Sequence, residues 1–145
     1  MKKVLKAISL ALALALAACG ANRRSFFGGD IRLDVAVAPH ANRDSPVPVD
    51  LLVFYDEKAL EAALAMSAGQ WFAAREQFRL DHPKGYQSWS WEWVPGQAVP
   101  PAKLSFGIGS RAGLVFADYA TPGAHRVRFD PHRNLAVRCA RWLTF

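Results

Sequence analysis

Apolar residues recur at every second position over most of this chain, a rhythm that suits half-buried strands and little else. Ile31, Leu33, Val35 and Val37 alternate with Arg32, Asp34 and Ala36. Val47, Val49, Leu51 and Val53 repeat the pattern up to Phe54-Tyr55, and Trp89, Trp91 and Trp93 alternate with Ser90 and Glu92. Leu104, Phe106 and Ile108 follow, then a short apolar run from Leu114 to Tyr119. Val127 and Phe129 alternate with Arg126 and Arg128, and Leu135, Val137 and Cys139 close the set. Turn residues separate these runs at Pro39 to Pro46, Pro95-Gly96, Pro122-Gly123 and Pro131 to Asn134. Proline presets the turn dihedral and glycine accepts the positive one.

One stretch breaks the rhythm. From Asp56 to Leu80 the apolar spacing is helical: Leu60 and Leu64 lie four apart, and Trp71, Ala74, Arg75 and Phe78 form a stripe. Ser67 and Gln70 have capping-box spacing, which predicts a second helix starting there. The expected fold is therefore mainly β, a β-sandwich of about seven strands with a helical insertion between strands 2 and 3.

The N-terminus obeys other rules. Met1-Lys2-Lys3 and Lys6 precede an apolar run from Ala7 to Ala18, the layout of a secretory signal. That run is shorter than the roughly 20 residues that span a bilayer. It ends in Leu16-Ala17-Ala18-Cys19, which resembles a lipobox, where the cysteine thiol is diacylated and the chain is cut just before it. The expected organisation is a lipoprotein signal peptide at 1–18, a lipidated N-terminus and flexible tether at 19–29, and the sandwich domain at 30–145. Gly20 stands where aspartate often marks retention at the inner membrane, so the expected address is the periplasmic face of the outer membrane, with acylated Cys19 in its lipid. Removing the signal takes three lysines and no acid, so the formal charge falls from +6 to +3. The basic balance is thus partly the signal's, and no nucleic-acid partner is expected. The remaining 127 residues suffice for one domain with one core.

Few residues suggest chemistry. His40, His82, His125 and His132 make no metal-binding spacing, and neither a metal nor another cofactor is expected. Gly107-Ile108-Gly109 with Gly113 lacks the Lys-Ser/Thr of a phosphate cradle and fits strand ends and a turn. Cys139 has three readings: a buried strand residue, a thiol pairing with another chain, or the nucleophile of a small envelope hydrolase with His125 or His132. Sharing an alternating face with Leu135 and Val137 favours the first. The face of Trp89, Trp91 and Trp93 is either core or a stacking platform for sugars, which would make the protein an envelope carbohydrate-binding module. Core is favoured, because a small sandwich needs its bulk inside. If the last two strands are neighbours, Arg126, Arg128 and Arg138 form a basic outer stripe. The proline-bounded loop Pro39 to Pro46 is a connector or a presented recognition loop, and it is expected to contribute little to the core.

The segment Ala41-Asn42-Arg43-Asp44-Ser45-Pro46-Val47-Pro48-Val49-Asp50-Leu51-Leu52-Val53-Phe54-Tyr55, after a lipobox and a first strand, resembles the opening of the type VI secretion lipoprotein family TssJ. The helical insertion after the second strand and the Val94-Pro95-Gly96 turn are also similar to that family, while Trp71-Phe72-Ala73-Ala74-Arg75 and the tryptophan ladder depart from it. The resemblance implies a transthyretin-like sandwich without catalytic residues. It implies docking on the periplasmic domain of the inner-membrane component TssM, through the loop residues Asn42, Arg43, Asp44 and Ser45.

Overall fold

A computed structural model describes residues 28–140 and 143–144, so the signal segment, Cys19 and the tether up to residue 27 lie outside the described residues. The elements are β1 (Gly29–Val37), a 3-10 turn (Ala41–Asp44), β2 (Val47–Phe54), α1 (Glu57–Leu64), α2 (Ala68–Asp81), β3 (Tyr86–Trp93), β4 (Ala102–Phe106), β5 (Ala112–Ala117), β6 (Arg126–Phe129), β7 (Leu135–Cys139) and β8 (Leu143–Thr144). They form two four-stranded sheets, ordered β4-β1-β7-β8 and β3-β2-β5-β6. The chain is a β-sandwich with a helical insertion between β2 and β3, and every strand expected from the alternation is present. The two-residue β8 was not anticipated.

Two cores flank the second sheet. Between the sheets lie Ile31, Leu33, Val47, Val49, Leu51, Val53, Leu104, Phe106, Val115, Leu135, Val137 and Cys139. On the opposite face, the helices cover Leu52, Phe54, Leu114 and Phe116 with Leu60, Trp71 and Phe78. The two-sided cover explains why Leu51-Leu52-Val53-Phe54 reads as an unbroken apolar run, and why all six residues of β5 are buried. Asp50 is the polar exception in β2. Its carboxylate accepts from Trp71 Nε1 at 2.8 Å and pairs with Arg75 at 3.1 Å.

Helix ends follow the sequence. Asp56 caps α1 by accepting from Ala59 N, and Ser67 with Gln70 forms the expected capping box of α2. Arg126 donates to the carbonyls of Leu64 and Met66 at the C-terminal end of α1, where a cation satisfies orphan acceptors. Gly113 is required by close approach, since an added Cβ would lie 2.1 Å from the Phe129 ring.

Three expectations are corrected. β6 is the edge of one sheet, whereas β7 lies inside the other, paired in parallel with β1. Arg126 and Arg128 therefore do not form a stripe with Arg138. Ile108 lies beyond β4 and is exposed. The loop after β1 also belongs to the core: Ala41 is fully buried and Asn42 is 5 % exposed.

Candidate docking site

The loop between β1 and β2 is built on three consecutive left-handed residues, Asn42, Arg43 and Asp44, with φ of 48°, 56° and 62°. Asparagine and aspartate tolerate this region better than arginine, and each such residue carries strain that the surroundings must hold. The surroundings do so through Asn42. Its Nδ2 donates to Pro46 O at 2.8 Å, and its Oδ1 accepts from Ala120 N at 2.7 Å, across from the β5–β6 connection. Ser45 N closes the turn on Asn42 O at 3.1 Å. Below it, Ala38 N donates to Cys139 O at 2.8 Å and Gly96 N to Ala38 O at 3.1 Å.

The expected loop residues thus divide. Asn42 is buried and holds the turn, while Arg43, Asp44 and Ser45 are exposed on it. His40 Nδ1 sits 2.8 Å from Asp44 Oδ1, both side chains lying in solvent. Among the described residues Arg43 has no ion-pair partner. An open cleft of about 700 Å³ lies beside the turn, lined by His40, Asn42, Arg43, Asp44, Thr121, Pro122 and His125. His125 comes from the far loop and is itself left-handed, with φ of 41° and its Nε2 2.7 Å from Thr121 O. No local pattern marks His125 and Thr121 as neighbours of the loop, because the contact depends on β5 and β6 folding back beside it. The Pro122-Gly123 turn was the one available hint. The cleft joins polar side chains to a larger apolar lining on a turn held in a left-handed conformation, which suits recognition.

Other candidates resolve differently. Trp89, Trp91 and Trp93 all turn inward. Trp93 is buried, whereas Trp89 and Trp91 are half-buried because β3 is an edge strand. Trp91 stacks on Trp93 with centroids 5.7 Å apart, and the face packs against the core. Ser110 Oγ lies 3.0 Å from His132 Nε2, a pair the sequence did not suggest. Ser110 is buried, and among the described residues no carboxylate orients that ring, so the contact ties the β4–β5 turn to the β6–β7 turn. Among the described residues no three His, Cys, Asp or Glu side chains gather as a metal site.

Cys139 is fully buried, and burial raises its thiol above the ordinary 9.0. Burial, with Cys139 beside it, likewise raises the Tyr119 hydroxyl above 10.0. Such a thiol is a poor nucleophile. The linkage sign follows from raised pKa values on acids that the fold keeps neutral. Their stabilisation is complete below the unfolded values and is lost as pH climbs, because the unfolded chain ionises first. Stability should therefore decline above about pH 9. Urea midpoints measured from neutral to alkaline pH should show this decline flattened in Tyr119→Phe. An identical decline in parent and variant would remove Tyr119 from the account.

The fold is a two-sheet sandwich from which one stapled turn projects. No family model matches the sequence, and neither does any curated protein. Solved structures do match, at probability 1.00. The T6SS lipoprotein TssJ1 from Pseudomonas aeruginosa is similar with a TM-score of 0.59 and 12% identity, over 81% of this chain and 94% of that one. Lip of Serratia marcescens, a membrane-bound component of the type VI secretion system, is similar with a TM-score of 0.55 and 12% identity, over 77% of this chain and 89% of its own. The C-terminal domain of the T6SS protein TssM from EAEC gives 0.52 and 11% identity, over 81% and 96%. The protein has a TssJ-like fold.

Proposed function

We propose that the protein is a docking lipoprotein of a type VI secretion membrane complex, held by acylated Cys19 at the periplasmic face of the outer membrane. It binds the periplasmic domain of a TssM-like inner-membrane component through Arg43, Asp44 and Ser45, with Asn42 holding the turn that presents them. The observation that carries this reading is the strained left-handed turn, stapled from inside by a buried asparagine, on a TssJ-like sandwich. Strain of this kind persists where the surroundings over-determine a conformation, and such places cluster at binding sites. Adjacent opposite charges at Arg43 and Asp44 favour orientation and specificity over raw affinity. The lipobox supports the anchor, and the similar TssJ1 is itself a lipoprotein.

The test is calorimetric titration of Arg43→Ala/Asp44→Ala against the candidate periplasmic domain. Both side chains are exposed, so the fold should persist while binding weakens by about 1–3 kcal/mol. Unchanged affinity would move the interface off this loop. Labelling with a palmitate analogue tests the anchor, which requires that Cys19→Ser abolish the label.

A further inference from the structure

Among the four sheet edges, β3 alone is both long and undefended. β4 has five residues, carries Lys103 and follows Pro100-Pro101; β6 has four residues and two arginines; β8 has two residues. β3 has eight residues, with no lysine, proline or glycine and a single charge at Glu92. Natural sheets usually shorten, charge or interrupt such an edge, because its free backbone groups template pairing.

The free groups can be assigned from the register. β3 pairs antiparallel with β2, Val47 opposite Trp93 through Phe54 opposite Tyr86. Tyr55 N donates to Gly85 O, which directs the backbone groups of the odd-numbered residues of β3 onto β2. The N–H and C=O groups of Ser88, Ser90 and Glu92 therefore point off the sheet. Val94 N is already used, donating to Gln97 Oε1, so the open stretch is centred on Ser90.

That stretch is self-complementary. The geometry points to a second copy of this chain as the occupant, its β3 antiparallel to this β3 about a two-fold axis at Ser90. Ser90 then exchanges both backbone bonds with the partner's Ser90, and Ser88 exchanges both with the partner's Glu92. Each Glu92 carboxylate faces a hydroxyl instead of a like charge. Trp89 faces the partner's Trp91 at a non-hydrogen-bonded position, where cross-strand side chains approach most closely. The tryptophans left half-exposed on each copy thereby cover one another. A shift of register in one direction sets Glu92 against Glu92. A shift in the other pairs Glu92 with Lys84, which lies outside the strand. Charge rejects the first shift and the end of the strand rejects the second, which leaves the Ser90-centred register. This pairing uses β3 and leaves the Arg43–Ser45 turn free, so it does not depend on the docking reading. A strand pair alone is small for an interface, so the equilibrium is concentration-dependent.

Two measurements on the full chain in detergent test the pairing. The first is oxidative cross-linking. Hydrogen-bonded antiparallel pairs hold Cα atoms about 5.5 Å apart, which suits a disulfide. Ser90→Cys should give a linked dimer far above the parent chain, and Ser88→Cys should not. Equal yields from the two variants, or none above the parent, would overturn the pairing. The second is sedimentation velocity across the micromolar range. Ser90→Pro removes an N–H that β2 does not use, so the fold should survive while the parent's dimer is lost. A parent that stays monomeric throughout, or a dimer that survives Ser90→Pro, would also overturn it.

Discussion

Trp71→Ala is expected to lower the unfolding free energy by about 4 kcal/mol. The indole is 1 % exposed and lies flat on Phe116, with ring centroids 5.0 Å apart and planes 7° apart. It meets Phe78 edge-on at 5.2 Å and Tyr86 at 6.0 Å, and its N–H satisfies the buried Asp50. Truncation removes the centre of the core beneath the helices and leaves a cavity that one sheet and two short helices cannot close. Trp71→Phe separates the terms. It keeps most of the apolar contact but leaves Asp50 with Arg75 alone, and its cost should be about half as large. Urea titration of both variants checks this. A loss below about 1 kcal/mol for Trp71→Ala would mean that the insertion adds little to the stability of the sandwich.

Asn42→Ala should cost about 3 kcal/mol, an unusual loss for a loop residue. Three effects coincide: the Ala120 N–H loses its acceptor, the Pro46 carbonyl loses its donor, and alanine must adopt a left-handed φ. Asn42→Gly relieves only the last of these and should recover about 1 kcal/mol. Asn42→Asp keeps the acceptor for Ala120 N but sets a carboxylate against the Pro46 carbonyl, so it should fall between parent and alanine. Denaturation midpoints rank the three. If Asn42→Gly equals the parent, the side-chain bonds carry no stability and the turn is held by its backbone. In the docking reading, Asn42→Ala also weakens partner binding without touching the partner, by releasing the turn that carries Arg43.

Local periodicity made the strands and the helical insertion legible. Ile31 through Val37 and Trp89 through Trp93 alternate because each has one solvated face, and the Ser67–Gln70 capping box marks its own helix. Partner choice was not legible, because period-two alternation is silent about neighbours. It could not place β7 beside β1 in parallel, and the arginines at 126 and 128 were consequently grouped with 138. The site was half legible. Composition singled out the loop and resemblance singled out four of its residues. That Asn42 points inward depends on an acceptor needed by Ala120, 78 residues away, which no local pattern encodes. The half-exposure of Trp89 and Trp91 was hidden for the same reason, since only the sheet order makes β3 an edge.

The parallel seating of β7 against β1 also predicts an order of events in folding. Ala38 N rests on Cys139 O and Asn42 N on Ala140 O, so the base of the β1–β2 turn is supplied by β7 and the residue after it. β2, β3, β5, β6 and the helices can assemble from closer neighbours, while the sheet that contains β1 waits for a contact about a hundred residues distant, the slow kind of step. A chain stopped short of β7 would carry the sequence of the turn without its support. In the docking reading, competence to dock would therefore come last, and a nascent or clipped copy would not bind.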